Sequence, residues 1–151
     1  MSSVDGTDGM SSVLSAWRRW ILRSVLRFGW APILVMGAHL VLSKLTRAYA
    51  DFPDLDILMH FVGGVAIGYF FWRAVQSAEG AAVLGAQTLG GQAVATFGLA
   101  GSSTVIWEFA EWTTDRLGIT HAQAGLHDTM LDMAMGFGGG LLVLAFGVLR
   151  R

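Results

Sequence analysis

The sequence predicts an all-α, polytopic membrane protein: a bundle of four transmembrane helices preceded by an N-terminal amphipathic helix. Three observations carry this. Of 151 residues, 54% are hydrophobic and 14% charged, with a mean hydropathy of +0.55, which is more apolar surface than a soluble domain of this size covers. The apolar residues fall into runs of membrane-crossing length, and glycine and tryptophan, frequent in spans and at their interfaces, number 20 and six. Three of the runs share one plan, with acids at one end and small residues at the other on a common helical face.

Taken in order, residues 1–12 are small, polar and glycine-containing, and read as a disordered tail. Over 13–28, Leu14, Trp17, Ile21, Val25 and Phe28 follow helical spacing while Arg19, Arg23 and Arg27 form a separate stripe. This predicts a basic interfacial helix whose three arginines meet anionic lipid headgroups. Gly29 and Pro32 interrupt it, because the residue before proline is pushed out of the helical region and proline suits a first turn. The transmembrane domain, 29–151, begins there with a first span over 32–48. Its His39 reads most economically as a neutral imidazole bonding across helices. Ala48-Tyr49-Ala50 resembles a signal-peptidase site, but Lys44 and Arg47 lie between the apolar run and that tripeptide and favour a retained span.

The second span, 56–72, places Asp56, His60, Gly64 and Gly68 on one stripe, and its small residues permit close helix approach in lipid. Residues 74–91 fit loop and helix alike. The third span, 92–112, carries Gly101, Thr104, Glu108 and Glu111 along one face, which Asp115 continues; the fourth, 127–149, repeats the plan with Asp128, Asp132, Gly136 and Gly140. Alternating spans bring the acids to one membrane face. With both termini cytoplasmic, Arg18, Arg19, Arg23, Arg27, Arg73, Arg150 and Arg151 lie inside, against Lys44, Arg47 and Arg116 outside. That asymmetry predicts a pocket open to the extracytoplasmic side of a bacterial inner membrane.

The predicted site comprises Asp56, His60, Glu108, Glu111, Asp128 and Asp132, with Asp115 and His127 as possible additions. So many carboxylates at one level require protons or a cation to neutralise them. A hard divalent cation suits the carboxylates, and the imidazoles bring manganese, iron or zinc into competition with magnesium or calcium. The chain has no cysteine, which removes thiolate ligands and nucleophiles, and it lacks a basic surface of the size nucleic acid requires.

The run Asp56-x-x-x-His60-Phe61-x-x-Gly64, then Trp107-Glu108-x-x-Glu111-Trp112-x-x-Asp115, then Asp128-Thr129-x-x-Asp132-Met133 resembles the YjdF-like family of uncharacterised bacterial inner-membrane proteins and, more distantly, VanZ-like proteins. Family members usually carry a further acid after a Gln-Gly pair just before the Asp-Thr motif. This chain reads Gln123-Ala124-Gly125-Leu126-His127 there. The resemblance implies a multi-pass inner-membrane protein and names no reaction. Three functions fit the residues: a divalent-cation site, extending to a metal-dependent hydrolase on a lipid-linked or envelope substrate; translocation of protons or cations through the bundle; and a non-catalytic envelope scaffold.

Overall fold

The computed structural model describes the backbone of residues 6–150 and the side chains of 9–150. All regular structure among the described residues is helical: α1 (Gly6–Phe28), α2 (Trp30–Leu45), α3 (Ala48–Asp51), α4 (Leu55–Val75), α5 (Ala78–Leu84), α6 (Leu89–Arg116) and α7 (Leu126–Leu149).

α4 is the hub, packing against α2, α6 and α7. It runs parallel to α7, because Gly64 lies against Gly136 and Gly68 against Gly140. α6 runs antiparallel to α7, with Thr104 against Gly136 and Ala100 against Gly140. The glycine stripe is the cause of this closeness. A Cβ on Gly64 would fall onto the Gly136 carbonyl, and one on Gly139 onto the Phe61 carbonyl, so side chains at these points would force the two helices apart. α2 is antiparallel to α4, its Trp30 ring 5.7 Å from Tyr69 and its His39 sharing a cavity wall with Asp56.

At the end of the bundle remote from the acids, Trp20, Ala74 and Val75 form a small core with Val83, Leu84, Ala95 and Leu99 around it. The Trp20 indole N–H donates to the Ala74 carbonyl at 2.9 Å, fastening α1 to the last turn of α4. Arg23 and Arg27 both reach Glu79 on α5. The hydrogen bond from Arg23 foremost, with the charge of Arg27 beside it, holds the Glu79 carboxyl below the usual carboxylate range. Two of the three arginines expected to face lipid headgroups thus have a protein partner, although both side chains stay more than half exposed. Arg19 bonds to the Ser15 hydroxyl on its own helix.

Several boundaries differ from expectation. Of the tail 1–12, residues 1–5 lie outside the described residues, and the rest form the first turns of α1, where the Ser12 hydroxyl bonds back to the Gly9 carbonyl. Residues 74–91 divide, giving α5, capped by the Ser77 hydroxyl on Gly80 N–H, and the start of α6, capped by Thr88 on Gly91 N–H.

Against four expected spans, two helices among the described residues, α4 and α7, are by themselves long and apolar enough to cross a bilayer. The first expected span is α2, which has 16 residues and so reaches about 24 Å, short of a hydrocarbon core of about 30 Å. It qualifies only together with α1, from which it bends by 63°. α6 is long enough at 28 residues, but Ser102, Ser103, Thr104, Glu108 and Glu111 dilute its apolar character.

Candidate functional site

His60 lies at the centre of the acid end. One turn into α4, its side chain is 8% exposed, with carboxylates from three helices around the ring. Nδ1 lies 3.4 Å from Glu108 Oε1 on α6. On the other edge, Nε2 lies 3.7 Å from Asp56 Oδ1, one turn back on α4, and 3.9 Å from Asp132 Oδ2 on α7. The i, i+4 spacing brings Asp56 to the ring, and the parallel glycine contact between α4 and α7 brings Asp132 to the same level.

Glu108 is 4% exposed and Asp132 2% exposed. Glu108 Oε1 and Asp132 Oδ1 are buried without a hydrogen-bond partner. A buried carboxylate oxygen in that state is costly, because the lost hydration is not replaced. Ligand atoms of Asp56, His60 and Asp132 lie within 4.8 Å of one another, as do those of His60, Glu108 and Glu111. Donors around an ion at about 2.0–2.2 Å stand up to about 4.4 Å apart, so both groups are close to ion-binding spacing.

Glu111 has a partner of its own: the Trp107 indole N–H donates to its Oε1 at 2.9 Å. The remaining predicted site residues lie outside both groups. Asp115 is occupied as a loop clamp, accepting from the Thr120 hydroxyl and from the backbone N–H of Ala122 and Gln123. These bonds, that from Thr120 foremost, hold its carboxyl below the usual range. Asp128 sits in the first turn of α7 and accepts from Ala124 N–H at 3.0 Å, which turns it toward the loop. His127 is exposed at the start of that helix.

Sequence reasoning overlooked two contributors. Gln123 donates its side-chain amide to both the backbone oxygen and Oε2 of Glu108, 15 residues away. No periodicity could signal it, since the contact depends on the loop folding back under the Asp115 clamp. Trp107 was legible, being one turn before Glu111. His39 bonds across helices as expected, from α2 to the Tyr49 hydroxyl on α3 at 2.7 Å, and packs edge-on against Trp107 on α6.

Beside the cluster lies a cavity of about 270 Å³, walled by α2, α4 and α6 and reaching Asp56 and His60. A wider groove of about 660 Å³ opens on the far side of Glu108, between α6, α7 and the returning loop.

Apolar helices of membrane-crossing length around a buried acid–histidine cluster define a helical membrane protein with a polar site inside the bundle. The chain belongs to the family described as predicted membrane protein (DUF2238), which matches residues 10–151. It is also similar to an uncharacterized protein of Thermotoga maritima, 33% identical over 96 residues, which are 63% of this chain and 48% of that protein. The chain thus spans about half the length of the curated relative it matches. No solved structure matches.

Proposed function

We propose that the chain binds a divalent cation on the Nε2 side of His60, with Asp56, His60 and Asp132 as ligands. The observation that carries this is the orphaned Oδ1 of Asp132, on a residue 2% exposed and grouped with two further donors. A cation supplies what that oxygen lacks and offsets the repulsion among the carboxylates. Glu108 then has a separate task. Its Oε1, 3.4 Å from Nδ1 of His60 and without a hydrogen-bond partner, stands where it favours a proton on Nδ1 and so the tautomer that leaves Nε2 free to ligate, as carboxylates behind metal-bound imidazoles do elsewhere. Glu111, held by Trp107, and Asp128, held by the loop, stand outside this ligand set. Two carboxylates with one imidazole suit manganese, iron(II) or zinc.

The same reading sets the protein in the bacterial cytoplasmic membrane as a YjdF-like protein, with four membrane-crossing elements, both termini cytoplasmic and the cation facing outward. Its support is the basic asymmetry and the alternating direction of α2, α4, α6 and α7. Arg19 and the exposed parts of Arg23 and Arg27 are the headgroup contacts in this arrangement. A hydrolase on a lipid-linked or envelope substrate is compatible with the ligand set but has no further residue in its favour.

Translocation has one supporting observation. Thr96 Oγ1 and Gln92 Oε1 are buried without partners further along α6. Between them and Glu108, however, the Thr104 hydroxyl bonds to its own helix at Ala100, and the glycine stripe closes the bundle. The cation site is therefore the better-supported function. Elemental analysis of protein purified in detergent, followed by equilibrium dialysis against manganese and zinc, tests it: one ion per chain is expected in wild type and none in Asp132→Ala. Metal-free protein that also takes up neither ion would refute it.

A further inference from the structure

The cavity beside the cluster has a composition that the cation site does not explain. Val35 and Met36 of α2, Met59 and Ile67 of α4 and Trp107 of α6 make its walls, and Gly63, Gly64 and Gly136 make its floor. Only one end is acidic and basic, where His39, Asp56 and His60 meet. Ser103 and Thr104 also line it, but their hydroxyls donate to Leu99 and Ala100 on their own helix, so they offer the interior no free proton. From the level of Asp56 to that of Ile67 the cavity follows α4 for about 16 Å. It is nearly twice the size of an apolar cavity of about 150 Å³ that stays dry and takes up benzene. Gly63 lines it, and a Cβ there would meet nothing within 4 Å, so there is open space beside this residue.

From these features we infer that the cavity seats the hydrocarbon chain of a single-chain amphiphile whose carboxylate or phosphate head lies at the Asp56–His60 end. α4 is long and apolar enough to cross a bilayer, so the molecules available at the depth of the cavity are lipid chains. The predominantly apolar walls match a chain. The polar end, once it holds a divalent cation, complements an anionic oxygen head, which completes the ion's coordination. The position of the head rests on the cation site proposed above; that of the chain does not.

Native mass spectrometry of the full chain in detergent tests both parts. The probes are oleate, oleoyl lysophosphatidate and monoolein, which share one chain and differ in head, each with and without manganese. Wild type is expected to hold one oleate or one lysophosphatidate, at least tenfold more tightly with manganese than without, and the tighter of the two identifies the head. Monoolein is expected to bind more weakly and without regard to manganese. Gly63→Leu fills the cavity from the floor and Met36→Trp from the opposite wall. Each is expected to weaken all three probes at least tenfold while leaving manganese uptake unchanged. Equal binding of the probes to wild type and to both variants would overturn the chain site. Wild type that takes up no manganese removes the head assignment with the cation reading, and monoolein binding to wild type against the two filled variants then decides the chain site alone.

Discussion

Gly64 on α4 and Gly136 on α7 meet backbone to backbone, so closely that a single Cβ on Gly64 would clash with the Gly136 carbonyl oxygen. That contact sets the register of two parallel helices. It aligns His60, one turn before Gly64, with Asp132, one turn before Gly136, and so assembles half of the site from a packing decision. Gly64→Ala is expected to lower stability in detergent by about 1–3 kcal/mol, the usual cost of overpacking, and to disturb the site as well. Gly63→Ala, whose Cβ enters open space, is expected to change melting little. Thermal melting of the pair checks this, and equal effects would mean that α4 and α7 are not in this register.

The cation reading separates two acids that look alike in sequence. Asp132→Asn removes a charged ligand, whereas Glu108→Gln alters the group that orients the ring. Manganese affinity is expected to fall about 10- to 100-fold in Glu108→Gln, the range for such supporting carboxylates, and further in Asp132→Asn. Calorimetric titration in detergent measures both, and a larger loss for Glu108→Gln would move the ion to the Nδ1 side of His60.

Asp115 gives the returning loop a pH dependence. Its carboxyl is held below the usual range by bonds to Thr120, Ala122 and Gln123, so the stabilisation exists while the group is ionised. It is fully present above the unfolded value of about 3.9, and is lost as pH falls through the lower folded value. In hydrogen exchange, Ala122 and Gln123 amides are expected to exchange faster in Asp115→Asn than in wild type at neutral pH. The ratio of the two rates falls toward one below the usual carboxylate range. A ratio of one at neutral pH would show that the clamp does not hold the loop.

α1 is fastened to α4 through Trp20, whose indole donates to the Ala74 carbonyl. Trp20→Phe keeps most of the ring and deletes that bond. A loss of about 1 kcal/mol is expected from an unmade buried hydrogen bond, together with faster proteolysis within α1 than in wild type. Identical cleavage patterns would indicate that the ion pairs from Arg23 and Arg27 to Glu79 suffice.

Topology is tested by reporter fusions at Gly118, in the loop at the acid end, and at the C-terminus after α7. They are expected to report opposite sides, with the C-terminus cytoplasmic. Both reporting one side would end the four-span arrangement and the outward-facing pocket together.

Helical periodicity determined a great deal here without tertiary information. Asp56, His60, Gly64 and Gly68, and likewise Asp132, Gly136 and Gly140, recur every fourth residue, and on any helix such residues share a face. The close packing of those faces and the acid-rich end were therefore legible. Depth along the bundle was not. Asp128 and Asp132 occupy the same stripe, and only the Gly64–Gly136 contact determines that Asp132 is level with His60 while Asp128 turns to the loop. Asp115 continues the stripe of Glu108 and Glu111, yet the loop backbone claims it, since three donors from residues 120–123 converge on it. Gln123 reaches Glu108 for the same reason. Local periodicity states which residues share a direction; the heights at which helices meet, and the path of the chain that returns between them, are long-range properties that the tertiary structure alone decided.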